Sequence, residues 1–329
     1  MFNLKMCKET FFYLDRWSPQ CLTGVCGPSV SDAKESLLRH LHSTVHRRTG
    51  DTLKADLQGD SWQPWMVDDE GNCSHYHTRF GRGLTPVLLV SLPCSGSSWL
   101  RYLLEGATGL FTGSAYNDTL LHRGGMMRKG KGGGGEEVAS GRTLVYLSHG
   151  AASQSDFLFD LQQRYEVMDH TLPTILLLRD PARTIIDFWH QRNDVPEKES
   201  QAAGGKATYD SDDFHDFAGD VTAVWEEVAS DRLLWTSAPL HVLHYEDLEA
   251  NPLLHLRRLL HFLSVPADEG RLACLAARLA PSLRHDSSGN PDPFATEEKD
   301  RIFFASKKVD RLLELLQYPR LPRLRDPRR

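Results

Sequence analysis

The stretch 85–106 constrains the fold more than any other part of the chain. Residues 87–92 form a short apolar run rich in leucine and valine, the pattern of a strand buried on both faces. Pro93 ends that run, and Cys94, Ser95, Gly96, Ser97 and Ser98 follow with small side chains and a flexible backbone. From Trp99 the apolar residues Leu100, Leu103, Leu104 and Ala107 recur at helical spacing, and Gly109 closes the segment. A strand, a small-residue loop and a helix in this order aim backbone amides and a helix N-terminus at one point. The expected guest is an anion, and a phosphate group above all.

Two more apolar runs, 143–148 and 173–179, read as strands that end at His149 and Arg179. A helix is expected between them over 156–168, and Asp180 caps another whose first turn holds Pro181. Buried strands alternating with helices predict an α/β fold, three-layer and P-loop-like, with a mainly parallel central sheet flanked by helices. Ligands then bind at the carboxyl ends of the strands, where the loop 93–98, His149 and Arg179 all fall.

Elsewhere the chain says less. Residues 1–83 read as an N-terminal extension of unassigned role, with one helix over 32–48 whose apolar face carries Leu37, Leu38, Leu41 and Val45. The main domain spans 84–318 and is interrupted near 128–140 by a glycine run mixed with charge, which cannot bury apolar surface and reads as a mobile insert. A long helix is expected over 212–235, a strand within 239–248 leading into a helix over 251–263, and a last helix over 296–317. The basic tail 319–329 is expected to fray.

A formal net charge of −6 and a pI near 6.2 argue against a nucleic-acid partner. No run approaches the roughly 18 apolar residues of a membrane span. The first ten residues break their apolar content with charge, unlike a signal peptide, so a soluble chain is expected. The six cysteines are too few and scattered for a disulfide scaffold; an oxidising compartment would allow one or two bridges among Cys7, Cys21, Cys26 and Cys73. Cys73, His75 and His77 match no standard zinc spacing and read as a solvated loop; no metal is expected. Glycosylation sequons stand at Asn72 and Asn117.

The loop lacks the Gly-Lys-Ser/Thr ending of a Walker A loop and the spaced glycines of a dinucleotide fingerprint. With Pro93, Ser95, Gly96 and Trp99 it resembles the 5′-phosphosulfate loop of sulfotransferases that use 3′-phosphoadenosine 5′-phosphosulfate (PAPS). The continuation through 107–114 resembles the catalytic domain of the WSC-domain-containing sialate O-sulfotransferases. Leu178-Arg179-Asp180-Pro181 resembles the second PAPS motif. Tyr245-Glu246-Asp247-Leu248, followed by a proline and an amphipathic helix, is a further likeness. The resemblance covers residues 85–317, and no WSC module is visible before it.

It implies that Pro93, Cys94, Ser95, Gly96, Ser97, Ser98 and Trp99 hold the phosphosulfate end of PAPS, while Arg179 grips the 3′-phosphate with its guanidinium fork. Asp187 stands where the family usually has a serine, so Thr184, one turn earlier, is expected to supply a hydroxyl. Arg284 corresponds to a late basic segment that closes over the nucleotide. His149, where many sulfotransferases carry Lys-Thr-His, would take the proton of an attacking hydroxyl. The plainer alternatives are a salt bridge from Arg179 to Asp180 or Asp187, and a strand-end histidine bonded to nearby backbone. Cys94 replaces the lysine that most members place at the bridging oxygen. Loop amides, the helix dipole and Arg101, Arg183 or Arg284 would then carry that charge. The helix N-terminus would also lower the Cys94 thiol and make it reactive.

The function so implied is sulfuryl transfer from PAPS, without a metal, to a hydroxyl of a carbohydrate or glycoprotein acceptor, with sialic acid suggested by the family branch. Other readings are a nucleotide-binding pseudoenzyme of the same fold, motivated by Cys94 and Asp187, and a nucleotide kinase, which the missing Walker lysine disfavours. The resemblance places the chain in the Golgi lumen; without a visible anchor, the cytoplasm is the alternative.

Overall fold

The computed structural model describes residues 30–45, 54–65, 73–114, 140–149, 169–193, 209–279 and 292–322. The chain divides into two units, 1–39 and 40–329. Helix α1 (Val30–Leu41) supplies the described part of the first. It stops well short of residue 48 because Ser43 turns the chain, its amide and hydroxyl both donating to the His40 carbonyl.

The second unit carries a two-residue ribbon, β1 (Ser61–Trp62) with β2 (Thr78–Arg79), and one larger sheet. The sheet strands are β3 (Leu88–Val90), β4 (Gly113–Ser114), β5 (Tyr146–Ser148), β6 (Thr174–Leu178) and β7 (Leu240–His244). They stand in the order β4-β5-β3-β6-β7, every pair parallel. The chain runs outward from β3 to one edge and later to the other, so β3 marks the point where the strand order reverses. Open α/β sheets bind ligands at that point.

Side chains alternate across the sheet, and each face has its own core. Leu89, Leu147, Ile175, Leu177 and Leu243 enter one, roofed by α2 (Ser97–Thr108) among others; Leu88, Val90, Leu176, Leu178 and Val242 enter the other, roofed by α3 (Pro181–Arg192) and α4 (Asp212–Trp235). The expected three-layer α/β fold is therefore present. The strand β3 is shorter than its apolar run, and the Leu92 carbonyl already turns to accept the Ser95 amide.

Helix α2 opens two residues before Trp99, on Gly96 and without a serine cap, and closes on left-handed Gly109 as expected. In α3 the Asp180 carboxylate accepts from the amides of Ala182 and Arg183, with Pro181 in the first turn. Between β7 and α6 (Pro252–Phe262) lies a short α5 (Tyr245–Ala250) that periodicity did not separate. Helices α7 (Glu269–Ala276) and α8 (Thr296–Leu315) complete the described unit. The start of the expected fraying tail is held, Arg320 pairing with Asp310 and the Leu321 amide donating to the same carboxylate.

Two expectations need correction. Cys73 bonds to Cys274, 201 residues away, rather than to one of the first cysteines. Pairing follows tertiary proximity, which spacing along the chain does not reveal. Cys73 is also buried rather than part of a solvated loop, although His75 beside it is exposed. The helix expected over 156–168, the insert near 128–140, Asn72, Asn117 and Arg284 lie outside the described residues.

Candidate active site

The loop after β3 takes its shape from two backbone conformations. Cys94 has φ 61° and Gly96 φ 87°, both left-handed. Left-handed residues in a tight turn can curl successive amides toward one concave face, the geometry of an anion nest. For Cys94 this costs roughly 1–2 kcal/mol, since its Cβ crowds the following carbonyl. Gly96 is needed twice over: its φ suits glycine, and a Cβ there would overlap the Tyr245 ring directly behind it. The first helical bond runs from the Leu100 amide to the Gly96 carbonyl at 3.0 Å. The amides of Ser97, Ser98 and Trp99 precede it, at the positive end of α2.

Pro93, Cys94 and Ser98 are partly exposed, whereas Ser95 and Ser97 are buried. The Trp99 side chain serves the core, leaving its amide as the group that can face the loop. It is wholly buried, packs edge-on to Tyr245 and donates its indole N–H to the Leu279 carbonyl at 3.0 Å. Tyr102 likewise donates to the Arg278 carbonyl at 2.6 Å. Two side chains of α2 thus hold the chain where it enters the segment that carries Arg284.

Val90 pairs with Ser148, which puts His149 beside Ser91 at the mouth of the loop. His149 Nδ1 lies 2.8 Å from the Ser91 carbonyl oxygen. A carbonyl only accepts, so Nδ1 carries the proton and the imidazole lone pair sits on Nε2. The plainer reading of a backbone-bonded histidine is therefore observed, and it is the tautomer a general base requires.

Arg179 is placed differently from the expectation of a phosphate-gripping side chain. It is buried, and Nη1 donates to the Cys94 carbonyl at 2.6 Å and to Asp187 Oδ2 at 2.5 Å. Its guanidinium also lies 4.9 Å from the Tyr245 ring centroid. The corner that follows is fixed too: the Trp225 indole donates to the Arg179 carbonyl, and the Asp180 amide to Glu246. Thr184 is wholly buried and its hydroxyl donates back to the Asp180 carbonyl at 3.0 Å, so it offers nothing to a phosphate in this arrangement.

The thiol of Cys94 donates to Gln191 Oε1 at 2.8 Å. Burial of the sulfur pushes the thiol well above its ordinary range, Asp187 adds to that and Arg179 opposes it, so the thiol stays protonated and the reactive-thiol reading fails. Arg101 is also withdrawn from the candidate cations: it is buried inside α2, bonded to Thr112, which donates in turn to Glu105. Arg183 stays partly exposed in the first turn of α3. Gln191 carried no sequence signal, and the Tyr245 motif did not reveal its place behind Gly96, because only the fold brings both to the loop.

The Sulfotransferase domain family model matches residues 157–282. A WSCD family member of Aedes aegypti is 29% identical over 219 residues, 63% of this chain and 58% of that protein. Over these stretches the chain is similar to sulfotransferases. A WSCD family member of Drosophila melanogaster is 28% identical over 202 residues, 58% of this chain and 54% of its own length. The chain thus spans under two thirds of the curated relatives it matches. Solved structures of similar outline include a sulfotransferase domain from the curacin biosynthetic pathway, 17% identical with a TM-score of 0.41, covering 73% of this chain and all (100%) of that one. A mouse sulfotransferase complexed with PAP is 13% identical with a TM-score of 0.40, over 71% of this chain and 86% of that one. Among the described residues, no helix is long and apolar enough to cross a membrane.

Proposed function

We propose that the chain transfers a sulfuryl group from PAPS to a hydroxyl of a carbohydrate acceptor, sialic acid on a glycan being the acceptor that the resemblance of residues 107–114 to the sialate O-sulfotransferases implies. The observation that carries this reading is the pair of left-handed residues, Cys94 and Gly96, at the end of β3, with His149 on the neighbouring strand end. A concave amide loop at a helix N-terminus fits the phosphosulfate end of PAPS. PAPS, when bound, supplies the sulfuryl group on a phosphate leaving group.

The chain's own part is positioning and charge. The loop and the start of α2 hold the anion, with Arg183, partly exposed in the first turn of α3, as a candidate cation. His149 Nε2 takes the hydroxyl proton, and the Nδ1–H bond to Ser91 steadies the imidazolium that forms. Golgi residence fits the Cys73–Cys274 bridge, since disulfides persist in oxidising compartments.

A radiolabelled-sulfate transfer screen from PAPS across sialylated and desialylated glycans tests the reading. Label is expected on a glycan hydroxyl, with desialylation removing it. One observation favours a pseudoenzyme instead: Cys94 keeps its proton and Asp187 neutralises Arg179, leaving little positive charge behind the loop. Binding of 3′-phosphoadenosine 5′-phosphate (PAP) with no transfer to any acceptor would establish that alternative.

A further inference from the structure

Helix α3 meets the anion loop at two points one turn apart. Asp187 holds Arg179 Nη1, which donates to the Cys94 carbonyl, and Gln191 accepts from the Cys94 thiol. Both contacts converge on the one non-glycine residue of the loop that adopts a left-handed backbone. A conformation that costs free energy persists only where its surroundings over-determine it. The geometry points to Asp187 and Gln191 as positioning residues for the 5′-phosphate loop: through Arg179 and the thiol they keep Cys94 left-handed and the loop amides gathered.

This rests on the PAPS reading above and departs from its expectation for Arg179. The guanidinium is buried beneath the loop with Asp187 as its counter-charge, rather than reaching for a 3′-phosphate. Asp187, the departure from the family's serine, becomes the residue that binds this arginine to the loop. A clamp on the 5′-phosphate loop serves every adenosine nucleotide with a 5′-phosphate alike, with or without a 3′-phosphate.

The test titrates wild-type chain, Asp187→Asn, Asp187→Glu and Gln191→Ala with PAP and with adenosine 5′-monophosphate, and follows amide hydrogen exchange over 93–98. Asp187→Asn is expected to weaken both nucleotides equally, by about tenfold, the loss of roughly one charge-assisted hydrogen bond. Asp187→Glu restores most of the affinity, Gln191→Ala weakens both nucleotides in parallel, and exchange in the loop quickens in Asp187→Asn and Gln191→Ala. Loss confined to PAP would give Asp187 and Arg179 to the 3′-phosphate and overturn the proposal. Unchanged loop exchange would do the same. Gln191 is exposed, so its variant carries the test should Asp187→Asn fail to fold. A folded wild-type chain that binds neither nucleotide removes the PAPS reading and leaves exchange alone to judge the clamp.

Discussion

His149 Nδ1 lies 2.8 Å from the carbonyl oxygen of Ser91, the residue that leads β3 into the loop. That bond ties the candidate base to the strand that carries the anion site, so any shift of the loop relative to β5 would also turn the imidazole.

Replacing His149 by alanine should lower kcat by about 10²–10⁴-fold, the usual worth of a general base, while PAP affinity holds. Turnover and calorimetric binding measured on the same preparation separate the two. Unchanged turnover would remove His149 from the proton step, and lost binding would make it part of the nucleotide site.

Glu105 is wholly buried in α2, its Oε1 accepting from the Thr112 amide at 2.9 Å and hydroxyl at 2.6 Å. Burial pushes its carboxyl up to about 7, against the opposing pull of Arg101 and the Thr112 bonds. A carboxyl raised from its ordinary 4.5 binds its proton more tightly in the folded chain. Its contribution to stability is complete below that ordinary value and is lost as pH rises through about 7. Thermal midpoints of the wild-type chain should therefore fall from pH ~5 to ~8, and the fall should shrink in Glu105→Gln. An equal fall in both proteins would assign the pH dependence to other groups.

The Cys73–Cys274 bridge closes a loop of 201 residues between the segment before β2 and α7. Long closed loops give the largest entropic stabilisation of the folded state, so Cys274→Ser should cost about 2–5 kcal/mol. Denaturant midpoints with and without reductant check this, and a reductant-insensitive wild-type chain would contradict the bridge.

The fold was legible wherever apolar runs were long enough to declare their period. The helix over 212–235 has the bounds expected, and the strands near 88, 146 and 174 lie inside their runs. The loop was legible too, because glycine and small residues between a strand and a helix have few other uses. Side-chain partners were not. Nothing in the order of residues says that Tyr245 backs Gly96, that Thr184 turns inward, or that Arg179 lies under Cys94. Those contacts join elements brought together by the sheet, so they are properties of strand order rather than of local pattern. The same holds for Cys274, whose partner Cys73 lies 201 residues away in the chain.

The most direct measurement is a calorimetric titration of PAP into the wild-type chain and into Gly96→Val, with folding of both confirmed by circular dichroism. A valine there meets both the left-handed backbone and the Tyr245 ring, so it must distort the loop. One-to-one binding by the wild-type chain, lost in the variant, is the expected result. Failure of the wild-type chain to bind, or equal binding by a folded Gly96→Val, would contradict the anion loop as the seat of function.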